Sequence, residues 1–141
     1  PSRQVNIVGC SFTKCISESA AIAIYFEVTS GTIEQCSFIN NKAKSGSTAT
    51  DIHYRYNSCD EIGKVTINDN FIKKNPGTGG NFISFDLDST FDFKQNTISI
   101  SESSSSIVFT LPGDITDHTG YNFESNVLYP YNTKVISNQI I

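Results

Sequence analysis

VNIVGCSF (Val5 to Phe12), GTIEQCSF (Gly31 to Phe38), VTINDNFI (Val65 to Ile72), FDFKQNTI (Phe91 to Ile98) and YNFESNVL (Tyr121 to Leu128) are five versions of one octad. An apolar residue holds the third place, as Ile7, Ile33, Ile67, Phe93 and Phe123. Cys or Asn holds the sixth, as Cys10, Cys36, Asn70, Asn96 and Asn126. Another apolar residue holds the eighth, as Phe12, Phe38, Ile72, Ile98 and Leu128. The octads are unequally spaced although their internal register is constant. Loops of varying size between fixed strands produce that combination, so each octad is expected to mark one coil of a repeat structure.

Between successive octads lies a second strand-like run. It reads Ile22-Ala23-Ile24-Tyr25-Phe26, Ile52-His53-Tyr54-Arg55-Tyr56, Ile83-Ser84-Phe85-Asp86-Leu87 and Ile107-Val108-Phe109-Thr110-Leu111. Alternation at period two marks a half-buried strand. Each coil then offers this strand, the first half of the octad, a bend at Cys or Asn, and the second half. The expected fold is all-β, a right-handed parallel β-helix (solenoid) of about five coils, with residues 1–141 as a single parallel β-helix domain and a segment of a longer solenoid. A β-sandwich, also rich in short strands, would not require Cys or Asn at one place in five octads. A sixth match, Thr133 to Ile140, comes too soon after Asn126 for another full coil, and fits either an incomplete coil or chance.

Stacking explains the recurring residue. Coils ~4.8 Å apart place equivalent residues over one another, and a buried Asn can bond both its neighbours in the stack and the turning backbone. Cys substitutes as a small buried residue with little polar demand. Cys10, Cys36, Asn70, Asn96 and Asn126 are therefore expected to form a structural ladder, and a second one is expected at Cys15, Asn41, Asn75 and Ser101.

These features resemble the repeats of the pectin-lyase-like superfamily of right-handed parallel β-helices. The segments Cys10-Ser11-Phe12 and Cys36-Ser37-Phe38-Ile39-Asn40-Asn41 are similar, more narrowly, to polymorphic outer-membrane protein repeats. The Gly-Gly-Ala-Ile element of those repeats appears here only as Ser19-Ala20-Ala21-Ile22 and as Gly79-Gly80-Asn81-Phe82-Ile83. The resemblance implies a ligand groove along the outward face of the alternating strand.

Composition narrows the function. Ser, Thr and Asn supply about a third of the chain, while Met and Trp are absent, a balance suited to strands and turns. A net charge of −4 speaks against a nucleic-acid partner, which calls for a clustered basic face. No run reaches the ~18 apolar residues that span a bilayer, so no membrane span is expected. Pro1-Ser2-Arg3-Gln4 is not a signal peptide, and the chain reads as part of a longer protein whose partners are further coils of the same chain or other protein chains. Cofactors and metals are not expected, because no Cys/His spacing matches a zinc site. The four cysteines, Cys10, Cys15, Cys36 and Cys59, leave the redox compartment open, and free buried thiols are favoured.

The outward positions of the alternating strand hold the candidate ligand residues Tyr25, His53, Arg55, Asp86 and Asp88. With Ile22, Ile52, Ile83 and Ile107 taken as equivalent, the outward columns become Ala23, His53, Ser84, Val108 and Tyr25, Arg55, Asp86, Thr110. Arg55 would then sit between an aromatic ring and a carboxylate, an arrangement that reads first as plain surface decoration. Catalysis would need more. Glycoside hydrolases work with paired carboxylates, and lyases with a base and calcium-binding acids. Asp86, Asp88, Asp114, Asp117 and His118 are a candidate cluster, but Val108 interrupts the column, so no catalytic residue is assigned. The reading is a structural or adhesive segment of an extracellular or cell-surface protein. The alternative is a polysaccharide lyase, glycoside hydrolase or glycan-binding module.

Overall fold

The computed structural model describes residues 4–19, 21–27, 30–45, 47, 49–55, 63–74, 81–85, 89–100, 106–110, 121–129 and 134–137. The chain makes five similar passes. The first runs β1 (Gln4–Val8), β2 (Ser11–Thr13), β3 (Ile16–Ser17) and β4 (Ala21–Glu27), and the second β5 (Ser30–Glu34), β6 (Ser37–Ile39), β7 (Lys42–Ala43) and β8 (Thr50–Arg55). The third runs β9 (Gly63–Asn68), β10 (Phe71–Lys74) and β11 (Asn81–Phe85), and the fourth β12 (Ser89–Lys94), β13 (Thr97–Ile100) and β14 (Ser106–Thr110). The fifth is β15 (Tyr121–Glu124), β16 (Val127–Tyr129) and β17 (Lys134–Ser137).

Each pass gives one strand to each of three five-stranded sheets, ordered β1-β5-β9-β12-β15, β2-β6-β10-β13-β16 and β4-β8-β11-β14-β17. Every pairing is parallel, including the small β3-β7 sheet. The architecture is all-β among the described residues, with stacked parallel sheets compatible with a parallel β-helix. The octads align as the sequence pattern requires: Ile7 pairs with Ile33, Ile33 with Ile67, Ile67 with Phe93 and Phe93 with Phe123. Of the segment Thr133 to Ile140 the structure describes Lys134–Ser137. Its strand β17 joins β14 in the sheet of the alternating strands, so it completes the fifth pass.

Alternation puts the third and eighth places inside. Ile33, Ile67, Phe93, Phe38, Ile72 and Ile98 are buried, together with Val65, Phe91, Ile52 and Tyr54. Phe12 stacks on Phe38 with centroids 5.2 Å apart, and Phe123 meets Phe91 edge-on at 5.3 Å. Each such side chain contributes about 1.5–3 kcal/mol by leaving water. Burial fades toward the first and fifth passes, where Ile7 is half-buried and Phe123 exposed, because a neighbour covers them on one side only.

The bend between the halves of the octad has a backbone cause. The fifth place is left-handed in every octad: Gly9 (φ 66), Gln35 (φ 53), Asp69 (φ 53), Gln95 (φ 55) and Ser125 (φ 55). One such residue lies where the chain bends from the first sheet into the second. Its N–H also tightens the stack, since Gly9, Gln35, Asp69 and Gln95 donate to the carbonyls of Glu34, Asn68, Lys94 and Glu124 in the following pass. Lys14 and Asn40 (both φ 54) make a matching bend before Cys15 and Asn41.

Candidate functional site

Two arrays of polar side chains stand out, one inside and one outside. The inner array is the ladder. Asn70 Oδ1 accepts the Cys36 N–H at 2.8 Å, Asn96 Oδ1 accepts the Asn70 N–H at 2.9 Å, and Asn126 Oδ1 accepts the Asn96 N–H at 3.0 Å. Each amide nitrogen donates to the third-place carbonyl of the preceding pass, Asn70 to Ile33 (3.0 Å), Asn96 to Ile67 (3.0 Å) and Asn126 to Phe93 (2.8 Å). Rungs also join directly, Asn70 Nδ2 to Asn96 Oδ1 at 3.0 Å and Asn96 Nδ2 to Asn126 Oδ1 at 3.2 Å.

Cys36 reproduces this chemistry with sulfur. Its Sγ accepts the Cys10 N–H at 3.4 Å and donates toward the carbonyls of Ile7 at 3.6 Å and Glu34 at 3.2 Å. Burial pushes the Cys36 thiol pKa up, and the neighbouring Cys10 N–H pulls against that shift. Cys10, Cys15 and Cys36 are free thiols. Cys10 departs from the expectation of a buried thiol. It is exposed, and among the described residues only the second pass packs against its pass. In the second ladder Asn41 Oδ1 accepts the Cys15 N–H at 3.0 Å and Asn41 Nδ2 donates to Phe12 O at 3.2 Å; Asn75 and Ser101 lie outside the described residues.

The outer array lies on the sheet β4-β8-β11-β14-β17, and here the expected columns need correction. Ile52 pairs with Ile24, not Ile22, and Tyr25 lies beside His53. Ile83 pairs with Ile52 on one side and with Phe109, not Ile107, on the other. The observed column is Tyr25, His53, Ser84, Thr110, and the strand neighbour of Arg55 in β4 is Glu27. Arg55 therefore does not sit beside Tyr25. β4 also carries a register shift between Ala21 and Ile24, where it holds one residue more than β8, and past it the pairing stands two places from the expected one. Asp86, Asp88, Asp114, Asp117, His118 and Cys59 lie outside the described residues, as do the side chains of Arg55 and Ser84.

The column brings Tyr25 and His53 face to face, rings 5.2 Å apart and 6° from parallel. His53, expected at an outward position, is 9% exposed, and the Tyr25 residue stacked on it is 50% exposed. Asp51, two places before His53 and so on the same face of β8, is fully buried. It stands opposite the bulge in β4, a device that re-aims side chains. Composition and spacing did not single out Asp51; an acid in strict alternation with Ile52 and Tyr54 was the available signal. The acids of the sheet β1-β5-β9-β12-β15 are engaged across passes: Asn68 donates to Glu34 (3.3 Å), while Lys64 pairs with Asp92 (3.4 Å) and Lys94 with Glu124 (3.3 Å). Among the described residues no group of three His, Cys, Asp or Glu side chains is placed to hold a metal, and no helix is long and apolar enough to cross a membrane.

No protein-family model, curated protein or solved structure matches the chain.

Proposed function

We propose that this chain is a right-handed parallel β-helix of the pectin-lyase-like kind, and that it serves as a structural or adhesive, non-catalytic segment of an extracellular or cell-surface protein. The carrying observation is where the recurring polar groups spend their hydrogen bonds. The Asn and Cys rungs that define the repeat bond to adjacent passes, so the repeated chemistry holds the stack together and is not presented to a substrate. The outward acids of the octad sheet are likewise tied to Lys or Asn of a neighbouring pass.

The test has two readouts. The chain incubated with acidic polysaccharides is expected to release neither new reducing ends nor unsaturated products, and antibodies raised against it are expected to label intact cells of its source. Polysaccharide cleavage that disappears in Asp51→Asn would overturn the non-catalytic assignment, and labelling only after permeabilisation would overturn the location.

One observation favours a second reading, a glycan-binding module. The Tyr25–His53 stack leaves one aromatic face half open on the outside of a sheet, and sugar rings pack on such faces. On a glycan array Tyr25→Ala would then lower binding about tenfold, the equivalent of ~1.4 kcal/mol. No binding by the unaltered chain removes this reading.

A further inference from the structure

We propose that Cys10 and Cys36 form a redox site, a pair of thiols that an organic disulfide of low molecular weight converts into a covalent tie between the first and second passes. The inference rests on the pairing of those two passes and does not depend on the proposed function.

The sixth place reads Cys, Cys, Asn, Asn, Asn along the stack, so its two thiols are neighbours across one joint. The pairs Val8↔Glu34 and Ser11↔Ser37 close on either side of them, and the Ser37 N–H donates to the Cys10 carbonyl at 2.9 Å. Residues paired in this way have Cα atoms about 4.8 Å apart, within the span of about 4.4–6.8 Å that a disulfide bridges. Sulfur already reaches over the joint, since Cys36 Sγ accepts the Cys10 N–H at 3.4 Å. After burial, the influences that raise the Cys36 pKa include the charge of Cys10 and a hydrogen bond between the two side chains. Opposite Cys15 the second ladder holds Asn41, so among the described residues the stack sets one pair of thiols face to face.

Parallel Cβ atoms on adjacent strands must still close by about 1 Å to reach the disulfide spacing. Two features permit it. The residue before Cys10 is the one glycine at the fifth place, Gly9, at φ 66, and its backbone freedom lets Cys10 tilt toward its partner. The bonds that closure gives up are weak ones from sulfur, Cys10 Sγ to Val8 O at 3.5 Å and Cys36 Sγ to Ile7 O at 3.6 Å and to Glu34 O at 3.2 Å. The Glu34 carbonyl keeps the Gly9 N–H at 3.0 Å.

The exchange balances with glutathione disulfide as the oxidant. One Cys thiol loses its proton, and the thiolate attacks a sulfur of the oxidant. A mixed disulfide forms, the glutathione S–S bond breaks, and glutathione leaves as a thiolate that takes up the proton. The second Cys thiolate attacks the protein sulfur of the mixed disulfide and expels the other glutathione, which is protonated in turn. Two protein thiols are oxidised to one disulfide, and one glutathione disulfide is reduced to two thiols. The product ties residues 26 apart in the chain and restrains the first pass from peeling off the second.

The whole chain, equilibrated in glutathione buffers of graded poise, alkylated and mapped by mass spectrometry without reduction, tests the site. The expected result is a Cys10–Cys36 cross-linked peptide that disappears as the buffer becomes more reducing. The double variant Cys15→Ser, Cys59→Ser should still form it, whereas Cys10→Ser should not. Hydrogen exchange reads the structural consequence. Oxidation should slow the amides of β1 and β2 by roughly tenfold or more and leave those of β9 and β12 unchanged, and Cys10→Ser should exchange alike in both buffers. Four outcomes would each overturn the proposal: a glutathione adduct that persists on Cys10, bridges that use Cys15 or Cys59 in preference, thiols that stay free at the most oxidising poise, or a Cys10–Cys36 bridge that leaves exchange in β1 and β2 unchanged or faster.

Discussion

At the residue scale the ladder makes a sharp distinction between removing a rung and replacing its chemistry. Asn96 is fully buried and satisfies the Asn70 N–H and the Ile67 carbonyl at once. Asn96→Ala strands both in the interior at roughly 1–3 kcal/mol each, so a loss of about 3 kcal/mol is expected in urea unfolding, read as a lower midpoint at constant slope. Cys36→Asn instead restores the ladder's own group at a place where sulfur already accepts from Cys10 and donates to Ile7. It is expected to stay within about 1 kcal/mol of the unaltered chain, the usual range for a swap that preserves volume.

Cys36 also sets a pH dependence. Burial raises its pKa in the folded chain above the unfolded value of about 8.5. Between those two values the unfolded state has lost the proton that the folded state still holds, so stability falls as pH rises. The contribution is whole below about pH 8.5 and is lost as pH climbs through the folded pKa. The alkaline decline in unfolding free energy should be shallower in Cys36→Asn than in the unaltered chain. A thiol-specific alkylating reagent should modify exposed Cys10 well before buried Cys36.

At the element scale the bends carry a strain that sequence reading did not see. Left-handed backbone costs a non-glycine residue about 1–2 kcal/mol, and four of the five octads place Gln, Asp or Ser there. Gln95 is exposed, so Gln95→Gly loses little packing. It should raise stability by up to about 1 kcal/mol, once the added freedom of glycine in the unfolded chain is subtracted. Gly9→Ala is the mirror experiment: an added Cβ meets nothing within 4 Å, so its expected cost of about 1–2 kcal/mol is backbone strain alone. Thermal or urea unfolding of the two variants reads both signs.

The same scale shows what was legible in the sequence. The octads were, because an apolar residue, a small polar residue and a second apolar residue recur at fixed offsets, and the structure pairs them in that register. The outward columns were not. A one-place slip exchanges the faces of a strand, but a two-place slip preserves them, so alternation cannot distinguish Ile22 from Ile24 as the partner of Ile52. The observed pairing, with its bulge between Ala21 and Ile24, decides the matter, and Ala-Ile-Ala-Ile gives no sign of it. The Tyr25–His53 stack and the proximity of Asp51 to the bulge follow from that pairing. For the same reason the separation of Arg55 from Tyr25 could not be foreseen.

At the scale of the whole molecule the described passes form an array whose sheet pairings join each pass only to its neighbours. Stability in such an array is a sum of unit terms and joint terms, and the joints differ in quality here. Val65, Ile67, Phe91 and Phe93 in the third and fourth passes are fully buried and carry the buried Asn70 and Asn96 rungs. In the first pass β1 alternates between exposed and half-buried residues, Cys10 is exposed, and the joint to the second pass runs through sulfur at 3.4 Å instead of amide oxygen at 2.8 Å. Opening should therefore begin at the ends and reach the middle only with global unfolding. Native-state hydrogen exchange is expected to give the slowest amides in β9 and β12 and the fastest in β1 and β15. Uniform protection along the five passes would mean a single cooperative unit, with joints strong enough to hide their differences.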